Sequence, residues 1–179
     1  LCPAAQVVCV EKSPEAYVYL EKNTRLALKG RGGSTENVLD ASPFEEPAFD
    51  WGMKPTRAAE PVEGDLFTYW ESLPEGQLDL IVSNPPYVPQ SDLAAMHANV
   101  REYEPREALF VPDDDALQFY RAIARAGRRM LRPGGKLYFE IYERSAGQMR
   151  LLLGEEGYTD TEVREDLNGK PRMVCSRMK

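Results

Sequence analysis

The run Leu78-Asp79-Leu80-Ile81-Val82-Ser83 is short and apolar, and it stops at once on Asn84-Pro85-Pro86-Tyr87. Its length and composition are those of a buried strand rather than a helix. Two successive prolines forbid the strand from continuing inside a sheet, because each lacks the N–H that a ladder needs. They also fix two φ angles and withhold two donors, so the main-chain carbonyls around them face outward from a stiff segment. Asn84 adds a side-chain carbonyl acceptor, and Tyr87 adds a flat ring that can stack on a planar amide or base. Acceptors without donors suit an –NH2 group on a planar substrate. Two plainer readings stand beside this one: a simple strand-terminating turn, and a short polyproline ligand in which Pro86-Tyr87-Val88-Pro89 is a PxxP segment.

The rest of the chain supplies the sheet such a strand needs. Residues 7–10 read as an apolar strand, followed by Ser13-Pro14, where serine can cap a helix and proline suits its first position. Tyr17, Leu20, Thr24 and Ala27 then recur near helical spacing up to Gly30. Residues 31–63 are rich in Gly, Pro, Glu and Ser and read as a long loop or insertion with a short strand near its end. Beyond the proline segment, a helix is predicted over 115–132, ended by Pro133-Gly134-Gly135, then a buried strand over 136–141. A helix over 143–155 leads to two closing strands, 158–164 and 172–177, joined by the turn-rich residues 166–171. Alternating strands and helices with a terminal hairpin imply an open α/β sheet, mostly parallel with an antiparallel edge. The chain starts on Leu1, and residues 1–6 read as the end of one element running into the first strand, so it is expected to have been entered midway. No secretory signal pattern appears at this start.

Composition removes several function classes. The 179 residues, 42% of them apolar, suffice for one sizeable core, and no run approaches the ~18 apolar residues that cross a bilayer. A net charge of −7 argues against wrapping a nucleic-acid backbone with the whole surface. Cys2, Cys9 and Cys175 lack both the CxxC spacing of a zinc site and the even count of a disulfide framework, and are expected to be reduced thiols of a cytoplasmic protein. With His97 the only histidine, no His-based metal cluster can be built, and no metal site is expected. Arg121, Arg125, Arg128, Arg129 and Arg132 mark one helix with a basic stripe, either a solvated face or a surface for nucleic acid or a partner.

In open α/β sheets ligands bind beyond the carboxyl ends of the strands, so the residues there are the candidates. Glu11 follows the first strand, and its carboxylate can accept from both hydroxyls of a ribose, or else cap the next helix. Asp65 follows Gly64, a pair equally at home in an ordinary turn.

Taken in order, the acidic strand end, Gly64-Asp65-Leu66-Phe67 and Leu80-Ile81-Val82-Ser83-Asn84-Pro85-Pro86-Tyr87-Val88 resemble a class I S-adenosylmethionine-dependent methyltransferase acting on nitrogen. More narrowly, the chain resembles the protein-(glutamine-N5) methyltransferases of peptide chain release factors, the PrmC/HemK family. Glu104-Pro105, Ala108-Leu109, Asp115-Ala116-Leu117, Gly134-Gly135, Phe139-Glu140-Ile141, Asp166-Leu167, Gly169 and Arg172 add to the similarity, which runs from about Cys2 to Arg177 apart from the insertion. The resemblance implies a Rossmann-like fold and residues 1–179 as the C-terminal part of a catalytic domain, without the family's first strand, glycine-rich loop and N-terminal helical domain. It implies S-adenosylmethionine as cofactor, S-adenosylhomocysteine as product, and a release factor as protein substrate in the cytoplasm, with no membrane partner. By motif position, Asn84 and Pro85 would orient the substrate amide, Pro86 and Tyr87 would wall the pocket, and Glu11, Asp65, Leu66 and Asn84 would meet the cofactor. Glu11 stands where aspartate is more usual, Tyr142 where a glycine often follows the strand, and residues 31–63 exceed the family's connection. Two rivals remain: an N-methyltransferase for an exocyclic amino group of adenine or guanine in DNA or RNA, and a truncated fragment without catalysis. Oligomeric state is left open by the sequence.

Overall fold

A computed structural model gives the fold and describes residues 6–29, 58–73, 75–95 and 105–179. Cys2, His97, Glu104 and all of the expected long loop before residue 58 lie outside the described residues. The chain divides into two compact units, Leu1–Thr68 and Tyr69–Lys179.

In the first unit, β1 (Gln6–Glu11) pairs in parallel with β2 (Ala58–Glu63), in register from Gln6 opposite Ala58 to Glu11 opposite Glu63. Between them α1 (Pro14–Lys29) begins as its sequence predicts. The Ser13 hydroxyl accepts from the Ala16 N–H at 3.2 Å, which satisfies one of the donors a helix start leaves open, and the Ser13 carbonyl accepts the first regular helical bond from Tyr17 N–H at 2.8 Å. The Tyr17 hydroxyl donates to the Pro61 carbonyl at 3.4 Å, tying helix to strand. Glu11 is the last residue of β1 rather than the residue after it, because the ladder persists one residue beyond the apolar run.

In the second unit a four-stranded sheet has the order β3 (Leu78–Ser83), β6 (Leu131–Glu140), β8 (Pro171–Met178), β7 (Tyr158–Glu165). A short parallel pair, β4 (Val88–Pro89) with β5 (Phe110–Val111), forms a separate ladder. Among the described residues three of the five strand pairings are parallel, and the two antiparallel ones belong to the closing hairpin and its junction with β6. Three helices accompany these strands: the single turn α2 (Arg106–Leu109), α3 (Gln118–Met130) and α4 (Ala146–Glu155).

Burial follows the sequence periods. Along β6, Leu137 and Phe139 are buried while Tyr138 and Glu140 face the other side half-exposed, the alternation of a strand. Tyr120, Ile123, Ala124 and Met130 bring α3 into the core beside Ile81, Ile141, Met149, Leu153 and Val174. Each large apolar side chain so covered contributes about 1.5–3 kcal/mol. The Tyr120 ring meets Phe139 edge-on at 5.1 Å between centroids.

Several boundaries differ from the sequence reading: α4, expected from 143, starts at Ala146, and both ends of α3 are displaced. Helix α3 starts at Gln118, not at Asp115, because the Asp115 side chain is turned to Arg121 and residues 115–117 form a turn. At its other end the backbone is already extended at Leu131 (φ −73°, ψ 137°), ahead of the Pro133-Gly134-Gly135 expected to stop it. Those three residues instead make an irregularity inside β6, where the register jumps from Leu78 opposite Leu131 to Leu80 opposite Lys136. Gly134 takes φ +79°, and a side chain on Gly135 would press on the Arg132 carbonyl at 2.9 Å.

Candidate active site

The proline segment leaves β3 directly. Ser83 is still paired with Phe139, and four residues later the Tyr87 N–H donates to the Leu109 carbonyl at 3.3 Å. Val88 and Pro89 then enter the short ladder with β5. The rim is therefore fixed at both ends, and in between Pro85 is buried, Asn84 is exposed and Pro86 is half-buried.

Tyr87 is set more tightly than a turn residue requires. Its hydroxyl donates to Glu140 Oε1 at 3.0 Å, and its ring stacks on Tyr142 with centroids 6.3 Å apart and planes 19° from parallel. Tyr142 in turn donates to Asp92 Oδ2 in the 3-10 helix (Gln90–Ala95) that follows the rim. Burial, with the neighbouring Glu140 carboxylate second, raises the Tyr87 phenol above its ordinary value, while Arg172 opposes them. The Tyr142 phenol is raised first by its bond to Asp92. Both stay neutral donors in the physiological range.

At the carboxyl ends of β1 and β2, the first unit brings two predicted carboxylates to one edge. The Gly64 N–H donates to the Glu11 carbonyl at 2.9 Å, continuing the ladder one bond beyond the strands. Glu11 Oε1 accepts from the Ser13 N–H at 2.8 Å, so the carboxylate caps the start of α1, the second of the two readings its place at the strand end allowed. Asp65 accepts from Phe67 N–H at 2.8 Å and pairs with Lys12 at 2.8 Å. Its pKa is lowered, first by Lys12 and then by the Phe67 N–H, so it is ionised at neutral pH. Leu66, between Asp65 and Phe67, lies in the turn these contacts define.

The arginines expected to share one helix are neutralised within the second unit, and Arg132 lies in β6 rather than on α3, because the chain is already extended at Leu131. Arg121 pairs with Asp115 (2.8 Å), Arg125 and Arg128 with the buried Glu156 (2.9 and 3.6 Å), Arg129 with Glu75 (3.1 Å) and Arg132 with Asp79 (2.5 Å). Exposed pairs of this kind add little stability. They do remove the uncompensated positive field that phosphate binding needs. Cys9 and Cys175 are free thiols, as expected, and no group of metal-ligating side chains occurs among the described residues. No helix among them is long and apolar enough to cross a membrane.

Sequence reasoning gave no role to Asp92, Glu140, Tyr142, Asp166 or Arg172, which stand behind Tyr87 or behind one another. A carboxylate closing the buried strand β6, between Phe139 and Ile141, was the signal available.

The α/β architecture, with a rim of acceptors at the end of a parallel strand and a closing antiparallel hairpin, is that of the class I methyltransferases. A methyltransferase of Pyrococcus furiosus superposes with a TM-score of 0.53 over 96% of this chain and 62% of its own, at 13% identity, a likeness of fold. Within the class, the sequence relatives are narrower. Release factor glutamine methyltransferase of Geobacter sulfurreducens is 37% identical over 98% of this chain and 51% of its own length. That of Bacteroides thetaiotaomicron is 51% identical over 55% of this chain and 35% of its own length. No protein-family model matches. The chain is a relative of the release factor glutamine methyltransferases, and spans about a third to a half of the length of the curated relatives just given.

Proposed function

We propose that this chain is part of the catalytic domain of an enzyme that transfers a methyl group from S-adenosylmethionine to the side-chain amide nitrogen of a glutamine in a peptide chain release factor. The observation that carries the reading is the Asn84-Pro85-Pro86-Tyr87 rim, rigid at both ends and rich in acceptors, on a methyltransferase fold.

An amide nitrogen is a weak nucleophile because its lone pair is delocalised into the carbonyl, so the rim must orient it. Asn84 Oδ1 and the Pro85 carbonyl each accept one N–H of the amide, which aims the nitrogen along one direction. Tyr87 and Pro86 wall the acceptor. The residues of the first unit fit the cofactor: a carboxylate at Glu11 suits a ribose diol, and the ionised Asp65 with the Leu66 backbone suits the amino edge of adenine. When bound, S-adenosylmethionine supplies an electrophilic methyl group on sulfur. The amide nitrogen held by Asn84 and Pro85 would take that methyl group as it leaves sulfur, and would give up one proton to water. Positioning supplies much of the acceleration, and no strong acid or base is called for. The protein acts in the cytoplasm, where release factors work, and its thiols are consistent with a reducing compartment. The paired arginines Arg125, Arg129 and Arg132 disfavour a nucleic-acid substrate.

The test offers the natural protein radiolabelled S-adenosylmethionine with a release factor, total RNA and DNA in parallel. Label is expected on a release-factor glutamine. Asn84→Ala should lower turnover about a hundredfold, with cofactor affinity little changed. Label on nucleic acid alone would overturn the substrate, and weakened cofactor binding with normal turnover would overturn the role of Asn84.

A further inference from the structure

The Tyr87 hydroxyl faces more machinery than a wall residue needs. Glu140, the last residue of β6, turns its carboxylate to that hydroxyl at 3.0 Å. The backbone carbonyl of Glu140, not its side chain, takes the Tyr120 hydroxyl at 2.8 Å, so the packing of α3 on the strand makes no use of the charge. Arg172, in β8, ties the end of β6 to the closing turn. The Arg172 carbonyl accepts from Ile141 N–H at 2.8 Å, and its guanidinium donates to Asp166 Oδ2 at 3.4 Å. Asp166 is itself held by the N–H groups of Asn168 (2.8 Å) and Lys170 (3.1 Å), so the turn between β7 and β8 is a fixed base for the arginine. Tyr142, anchored by Asp92, covers one face of the ring.

We propose that Glu140 is a positioning residue of the acceptor rim, which acts through the Tyr87 hydroxyl to fix the plane of the ring against which the substrate amide is aligned. The inference rests on the methyltransferase reading and deepens it. A tyrosine ring rotates about two side-chain bonds, and its backbone alone leaves those rotations open. A carboxylate acceptor at the hydroxyl and the Tyr142 ring stacked on it remove them, since hydrogen bonds to ionised groups are the stronger kind. The Glu140 carboxylate neither completes a ladder nor fills the core, and it sits at the end of β6. Orientation of the acceptor is the quantity such a device controls, so its loss should appear in turnover and not in cofactor binding.

Kinetics of Tyr87→Phe, Glu140→Ala, Glu140→Gln and the Tyr87→Phe/Glu140→Ala pair in the natural protein decide the matter. Tyr87→Phe and Glu140→Ala are each expected to lower kcat about tenfold, with KM for the cofactor unchanged, and the pair no further than either alone. Glu140→Gln keeps an acceptor oxygen and should return kcat to within about twofold of the parent. Additive losses, or a Glu140→Ala protein with normal kcat, overturn the proposal. A second measurement needs no turnover: with ¹³Cζ-labelled tyrosine, the Tyr87 resonance, identified by its loss in Tyr87→Phe, should shift in Glu140→Ala. An unmoved resonance overturns the proposal. Absence of methyl transfer by the unsubstituted protein, with the resonance still moving, would instead sink the functional reading and keep the contact.

Discussion

Gly127 shows how one absent side chain sets a packing distance. It lies in the middle of α3, where glycine costs about 1 kcal/mol of helix stability against alanine. A Cβ there would collide with the Tyr158 hydroxyl, which donates to the Ala124 carbonyl at 2.8 Å one turn earlier on the same helix. The close approach of β7 to α3 therefore outweighs the propensity gain. Gly127→Ala should destabilise the protein by about 1–3 kcal/mol, read as a lowered denaturant midpoint with unchanged m-value; a midpoint that rises would mean that Tyr158 moves aside without loss. Asn84 poses the opposite case. It is exposed and not part of the core, so its replacement is expected to spare stability and remove turnover.

Among the elements, the β7–β8 turn has the most specific chemistry. The Asp166 carboxylate accepts from Asn168, Lys170 and Arg172, Gly169 takes φ +75°, and Lys170 reaches Glu143 at 2.6 Å. Leu167, at the tip, is fully exposed. Asp166→Ala should loosen this turn and free Arg172, lowering stability locally. Hydrogen exchange should then rise at Asn168 and Lys170 N–H and not in β6; protection lost equally across the sheet would show that the turn is no separate unit. Helix α1 was legible element by element, since Ser13-Pro14 is a local signal and the hydroxyl does cap the Ala16 N–H. Strand β3 was legible for the same reason, because two prolines end a ladder wherever they occur. The end of α3 was not. The chain turns extended at Leu131 because β6 begins pairing with β3 there, a contact made 53 residues away in sequence, between Leu131 and Leu78.

Over the whole molecule, ionisation sets a window of stability. Asp65, Asp115, Glu143 and Asp166 have pKa values lowered in the folded protein, each chiefly by a hydrogen bond: to Lys12, Arg121, Lys170 and the Lys170 N–H respectively. Their contribution is present above the unfolded values of about 4 and is lost as pH falls through the lowered folded values. Tyr87, Tyr120, Tyr142 and Tyr158 are raised, by burial first except for Tyr142, where the bond to Asp92 leads. Their contribution is complete below the unfolded value of about 10 and is lost as pH rises through the raised values. Thermal melts should thus fall off below pH ~4 and above pH ~10, with a plateau between; a steep change near neutrality would contradict the assignment of these groups.

What the sequence determined by itself was local or ordered along the chain: the strands, the capped helix, the proline rim, the terminal hairpin, and a motif order whose relatives are release factor glutamine methyltransferases. Periodicity and turn chemistry act over a few residues, so they can be read there. Partnership across the fold cannot. Arg125, Arg129 and Arg132 looked the same in sequence whether free or paired, and only the folded chain sets Glu156, Glu75 and Asp79 against them. Likewise Tyr87 and Glu140 are 53 positions apart, and their hydrogen bond exists because β6 lies beside β3 and ends at the rim. Tertiary structure decided those pairings, since burial and strand order bring together groups that no spacing rule connects.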